Sequence, residues 1–517
     1  MREIELDAAE RERPQAGSTR IPYLSAASVV VVAFFGAALL PRATWPLIDP
    51  DVWWHIRAGD EVLATGRVPA TDSWSLTAAG HPWISQDWMT NVVLALGARA
   101  GGIGEMFLSL VFAALAFAGF VVLWRAIAIR ERSVGWLSRV GWLSAGLLLA
   151  GPTLGVRVQV VDLPLTALVL WILWRYLAER RPRVLVGLPI IAVTWVNMHA
   201  GWPLLFLLGG AMVAGEAIDR GLRPARMPSA MSWRELAALV GALVASAAVL
   251  AINPSGLEIY RYPVNTLALT TLKAVGEWQP ARLDSLFGQL LAGFVIVGVL
   301  PAIVFAWRRM LTAELLILVG LTVMAALAVR FLLILGPVGA AIIAVSLGPV
   351  ISGSRLGNRA APLLQQFSRP RRDALLAVLL VALLALGSGL ALARSLPATQ
   401  EAEISRAQPV AAVAWIVDSD PGEQVFNRYE WGGYLGLHRP ERPIFIDGRA
   451  DVYGDEVIAE YVQTIGLSID PQKTFDRYQI DYVLFDPGTP LAGWLDHSSN
   501  WKRVYADAVA AVWVRAA

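Results

Sequence analysis

The sequence predicts a multi-pass α-helical membrane protein that carries a soluble α/β domain at its carboxyl end. Three observations predict this. Of 517 residues, 56 % are hydrophobic and only 16 % charged, with a mean hydropathy of +0.54, outside the range of soluble globular chains. Apolar runs of roughly twenty residues, the length that crosses a bilayer, recur along most of the chain. After Pro397 the composition changes to that of a soluble domain.

The runs fall at 23–41, 104–124, 136–151, 160–178, 184–197, 201–218, 235–252, 286–306, 312–329, 331–350 and 374–394, which makes about eleven spans. Residues 1–22 read as a charged, disordered cytoplasmic tail, 23–396 as the bundle with a long first outer loop at 42–100, and 397–517 as an extracytoplasmic domain. Tyr23 to Leu40 lacks a small-residue cleavage site and reads as a retained span. Cysteine is absent, which excludes disulfides and thiolate metal sites. A net charge of +2 without a basic, aromatic-interleaved patch gives no nucleic-acid signature.

Arginine sets the orientation, because basic residues collect in cytoplasmic loops. With the amino terminus inside, the inner loops hold Arg125, Arg130 and Arg132, then Arg175 to Arg183, Arg220 to Arg234, Arg308 and Arg309, and Arg355 to Arg372. The short outer loops hold little beyond Arg157 and Arg330. This pattern puts the other polar loops and the carboxyl-terminal segment, and with them any chemistry, on the extracytoplasmic face. Ionisable residues avoid the centres of the runs, which argues against an ion-coupled transporter.

The first outer loop opens with "IDPDVWWHIRAGDEV" (48–62). Asp49-Pro50-Asp51 is a helix start, with Asp49 as cap and Asp51 in the positive end of the dipole. Interfacial tryptophans then anchor an amphipathic helix. That structural account competes with a chemical one. Asp51 and His55 lie one turn apart on one face, where a carboxylate can take a proton from an acceptor hydroxyl or bind a cation. The loop is about sixty residues long, and ordered loops of that length are usually functional.

An acidic pair after the first span, a long helical first outer loop, many spans and a trailing domain resemble the GT-C glycosyltransferases. These include oligosaccharyltransferases, protein O-mannosyltransferases and the aminoarabinose transferases of lipid A. More closely, the segment from Asp49 to Trp88, with "WVNMHAGW" (195–202), "NPSGLEIY" (253–260), "EWQP" (277–280) and "FNRYEWGGYLGLHRPERPIFIDGRADVYG" (426–454), is similar to a bacterial branch of GT-C-like membrane proteins. The branch's Arg-Pro-Gln is Arg157-Val158-Gln159 here. The resemblance implies a polyprenyl-phosphate-linked sugar as donor, and a cell-envelope glycan, lipid or protein as acceptor. It makes Asp49 or Asp51 the catalytic carboxylate. The Asp-x-Asp spacing permits Mg²⁺ or Mn²⁺ at Asp49 and Asp51 without requiring it.

Other outer-face residues are substrate-binding candidates. Arg157 suits a phosphate because a guanidinium forks onto its oxygens, although an interfacial pair with Asp162 explains it equally. His199 and Asn197 share a turn suited to the donor phosphate. Glu277, with Trp278, is a candidate for lining a sugar site, and Arg330 is either a boundary anchor or a lipid-phosphate ligand. In the outer domain "EQVFN", "RPIFID", "DYVLFD" and "VAAVWVR" read as strands, with helices near 408–418, 454–466, 471–478 and 490–496. Asp447, Arg449, Asp451 and Asp486 end strands, where open α/β sheets bind ligands, though turn chemistry explains them too. Trp431 in "RYEWGGY" offers a ring for stacking on a sugar. The face bearing Tyr429, Trp431 and Asp447 is expected to cover the cleft and shape acceptor access, as a lid whose removal (397–517) leaves donor binding intact. Three readings remain: a transferase with Asp51 or Asp49 as general base, a non-catalytic scaffold or sugar-lipid binding protein, and an envelope polysaccharide polymerase or ligase.

Overall fold

The computed structural model describes residues 46–222, 231–270, 276–354 and 370–516. The tail at 1–22, the expected span at 23–41, and Arg223, Arg226, Arg355, Arg359 and Arg369 lie outside the described residues. The chain is mainly helical, with one four-stranded sheet near its carboxyl end. Every other apolar run coincides with helix. Among the described residues, four helical stretches are long and apolar enough to cross a membrane: Gly102–Arg130, Val158–Glu179, Leu286–Ala306 and Val329–Ser352. A fifth candidate is Val381–Ser395 with Pro397–Ala407, bent by 57° between them. Shorter apolar helices, including Pro182–Val196 and Thr312–Leu327, fill the bundle. Val329–Ser352 is its most enclosed member, 94 % buried over its apolar window.

The expected boundary at 397 is not a packing boundary. Pro397–Ala407 lies against Gly102–Arg130. Its buried Gln400 accepts from the Leu47 N–H (2.9 Å) and donates to Ser109 Oγ (3.0 Å). The soluble fold proper starts at Val410–Ser419.

Its sheet has the order β1 (Val425–Asn427), β2 (Tyr482–Phe485), β4 (Ala511–Arg515), β3 (Trp501–Ala506). β1 pairs parallel with β2, and the other pairs are antiparallel. "RPIFID" is not a strand of this sheet. Ile444 instead exchanges hydrogen bonds with the first loop, donating to Trp74 O (3.0 Å) and accepting from Leu76 N–H (2.7 Å). β3 was not expected, because its exposed "KRV" hides the alternation of a half-buried strand.

Loop and domain share one core. Ala58, Trp74, Ala78 and Trp83 of the loop pack in one apolar cluster with Phe426, Phe445, Ile446 and Tyr461. Trp53 meets Tyr434 edge-on, with ring centroids 4.9 Å apart. The two regions therefore form a single cap over one end of the bundle, not a lid on a hinge.

Candidate active site

Between cap and bundle lies a cavity of about 780 Å³. Its polar wall begins with the helix Asp51–Thr65, which Pro50 precedes as N-cap residue. Asp49 does not cap that helix in the usual way; its Oδ1 accepts from the Asp51 N–H (3.0 Å), and its other oxygen pairs with Arg157. Arg157 is therefore paired with Asp49 rather than with Asp162. Asp51 accepts one hydrogen bond, from Trp54 Nε1 (3.1 Å), and forms no ion pair among the described residues. Burial pushes its carboxyl well above the usual range, and the neighbouring Asp49 and Glu277 push it further. Trp54 and Arg157 oppose the shift without cancelling it.

Across from Asp51, Arg330 pairs with Glu277 (3.0 Å) and stacks on Trp278 at 4.4 Å. Gln159 donates to Glu277 Oε2 (3.4 Å). Burial pushes the Glu277 carboxyl up, but Arg330 and Arg157 outweigh it and hold the group below the usual range. Each ion pair occupies only part of a guanidinium that carries five N–H donors, so both arginines keep donors for an anion. His55 bonds through Nδ1 to Asn91 Oδ1 (2.7 Å) and lies 3.3 Å from Asp87. Its burial holds the imidazole below its ordinary value.

Of the residues expected from the sequence, Asp49, Asp51, His55, Arg157, His199, Glu277 and Arg330 all line this cavity. Asn197 and Trp431 do not. Asn197 faces a separate shallow pocket with Trp88 and Ile252, and its amide is consumed by Trp88 Nε1 (2.7 Å), Val193 O (2.8 Å) and Ile252 O (3.0 Å). Trp431 is 2 % exposed and bonded to Ala407 O. Its ring fills the core between domain and bundle and is closed to a sugar.

The cap supplies residues from the two segments that the sequence marks for ligands, "RYEWGGY" and "IDGRAD", and one, Gly448, that the sequence does not single out. Arg428, Tyr429, Glu430 and Asp451 line the cavity. Burial pushes the Asp451 carboxyl up to about 6. Gly448 touches the key carboxylate: a Cβ there would lie 1.8 Å from Asp51 Oδ1. Only glycine lets the cap close onto Asp51. Beside it, Arg449 is fully buried between Asp72 of the loop (2.7 Å) and Asp447 (2.8 Å), with its guanidinium over Trp74 and Trp83 at 4.3 and 4.7 Å. Asp447 and Arg449 thus join cap to loop, and Asp447 is not a ligand-facing strand end.

Mg²⁺ or Mn²⁺ does not fit Asp49 and Asp51 as placed. Among the described residues no group of three or more His, Cys, Asp or Glu side chains is gathered to hold an ion. Asp49 is committed to Arg157.

No family model matches the chain, and no curated protein matches it. Among solved structures it is similar to ArnT from Cupriavidus metallidurans bound to undecaprenyl phosphate, with 15 % identity and a TM-score of 0.48 over 95 % of this chain and 97 % of that one. The apo form of ArnT gives 14 % identity and a TM-score of 0.49, over 94 % and 96 % of the two chains. An oligosaccharyltransferase from Archaeoglobus fulgidus, in complex with Zn and sulfate, gives 12 % and 0.48, over 94 % and 73 %. Identities of 12–15 % with TM-scores under 0.5 assign no role to any residue here; the chemistry is argued from the cavity itself.

Proposed function

We propose that the chain is a membrane glycosyltransferase of the GT-C kind, which moves a sugar from a polyprenyl-phosphate donor to a cell-envelope acceptor. One observation carries this reading: a carboxyl that forms no ion pair among the described residues, Asp51, faces a cavity whose walls join arginines to apolar side chains. Arg157 and Arg330 supply donors for a phosphate, while Leu204, Leu207, Met324, Leu333 and Ile334 line the same cavity. Such a lining suits a phosphate carried on an isoprenoid chain. On the arginine pattern of the loops, the cap lies on the extracytoplasmic side.

In the reaction the acceptor hydroxyl attacks the anomeric carbon from the face opposite the phosphate. The bond from carbon to phosphate oxygen breaks, and the phosphate leaves with the electron pair toward Arg157 and Arg330. Asp51 takes the hydroxyl proton, and the configuration at the anomeric carbon inverts. His199 contacts the donor phosphate, and Glu277 holds Arg330 in place.

The raised Asp51 carboxyl fixes the sign of the pH dependence. A base works only when ionised, so kcat/KM rises with pH along an acid limb well above the ordinary carboxylate range. Stability runs the other way. A carboxyl raised on folding contributes fully below its ordinary value of 3.8, and that contribution is lost as pH rises through the raised value. Asp451 adds to the same trend between 3.8 and about 6. The test is transfer from a sugar-loaded undecaprenyl phosphate in detergent across pH 4–9. An acid limb at an ordinary carboxylate value would remove Asp51 from the role of base.

A further inference from the structure

We infer that Asp162 is a positioning residue for His199, and that the segment "WVNMHAGW" is built to hold the two together. The inference rests on the proposed reading of the cavity as a site for a phosphate-linked sugar. Asp162 is the first residue of the helix Asp162–Glu179, where an acidic residue ordinarily serves the helix dipole. Its carboxylate is directed elsewhere. Both oxygens lie 2.8 Å from His199 Nδ1, and Oδ1 also accepts from Trp195 Nε1 (2.7 Å). Gly201 completes the seat: a Cβ at that position would fall 2.1 Å from Asp162 Oδ1. Trp195, His199 and Gly201, spaced over seven residues at the end of the helix Gly187–Val196 and the turn after it, therefore converge on a single carboxylate.

The chemistry follows from the tautomer. A carboxylate accepts, so Nδ1 carries the proton that it donates to Asp162, and Nε2 is the ring nitrogen left to the cavity that both residues line. His199 then meets the donor phosphate through one atom in one orientation. Asp162 is not a catalytic residue, because it acts through His199. Asn at 162 still accepts from Trp195, but its NH₂ faces the imidazole and favours the opposite tautomer, the logic known for carboxylate-oriented histidines.

The experiment uses full-length protein in detergent with ¹⁵N-labelled histidine, of which the chain has five, assigned by single His variants. His199 is expected to be protonated at Nδ1, and Asp162→Asn or Gly201→Ala should move the proton to Nε2 or leave the ring exchanging. Titration with undecaprenyl phosphate should shift the His199 Nε2 resonance in the wild type and less in Asp162→Asn. Turnover should fall about 10–100-fold in Asp162→Asn, by analogy with the carboxylates that orient metal-ligating histidines, with an unchanged melting temperature. Asp162→Asn combined with His199→Gln should be no slower than His199→Gln alone. Protonation at Nε2 in the wild type, or losses that multiply in the double variant, would overturn the assignment. The tautomer is read without any turnover, so a chain that bound no donor and transferred no sugar would fail the proposed function while leaving this result to stand or fall separately.

Discussion

Asp51→Asn is expected to lower kcat by about 10²–10⁴-fold, the usual contribution of a general base, while the protein folds and binds undecaprenyl phosphate as before. The fold should tolerate the change well. Asn keeps the shape and the bond from Trp54, and it removes a desolvated carboxyl crowded by Asp49 and Glu277. Asp49→Asn gives the contrast. Asparagine still accepts from the Asp51 N–H, so the helix start survives, but Arg157 loses its anionic partner. Transfer should drop far less. The acid limb of the pH profile should move to lower pH, because a like charge beside Asp51 is gone. Initial rates of both variants across pH, with binding measured on the same preparations, check the pair. Full activity in Asp51→Asn would remove Asp51 from the role of base. Equal, severe losses at both positions would point to a shared catalytic role.

The second large effect is expected at Arg449. Replacing it with Met leaves Asp72 and Asp447 buried without a counter-charge, and breaking a buried pair from one side typically costs about 3–5 kcal/mol. The loss falls between the first loop and the rest of the cap. Asp51 sits on that loop and is covered by Gly448 of the same "IDGRAD" segment, so activity should disappear with the docking. Thermal unfolding in detergent and protease cleavage between 66 and 87 should both report it. Lys should not restore the wild-type state, because one ammonium cannot fork between two carboxylates while stacking on Trp74 and Trp83. Adding Asp72→Asn and Asp447→Asn to Arg449→Met should recover part of the stability. An unchanged melting temperature in Arg449→Met would show that cap and loop are held otherwise. The same packing revises the expectation of a separable lid. Removing 397–517 takes away most of the core around Trp74 and Trp83 and strands Asp72, so donor binding should not survive it.

What was legible in the sequence follows from the range of the interactions involved. Apolar runs declare helices through local composition, and all of those within the described residues are helical. The acidic start of the first loop and the outer-face arginines were legible for the same reason, since each sits in a short polar island between apolar runs. Pairings were not. One of the two sequence readings of Arg157 paired it with Asp162, five residues away, but it finds Asp49 instead, 108 residues distant, while Asp162 takes His199. Trp431 and Asn197 look available because they flank glycines and turns, yet tertiary packing buries one and spends the amide of the other. Cap residues such as Asp451 and Gly448 reach the cavity only through the shared core of loop and domain. A pairing like that of Ile444 with the first loop has no local sequence signal.

The measurement that tests the central claim most directly is native mass spectrometry of the protein released gently from its membrane. The account predicts a co-purified polyprenyl phosphate, with or without its sugar, retained by wild type and by Asp51→Asn and lost from a variant with Arg157 and Arg330 both replaced by Ala. Protein carrying only bulk phospholipid, or a polyprenyl phosphate equally retained without the two arginines, would contradict it.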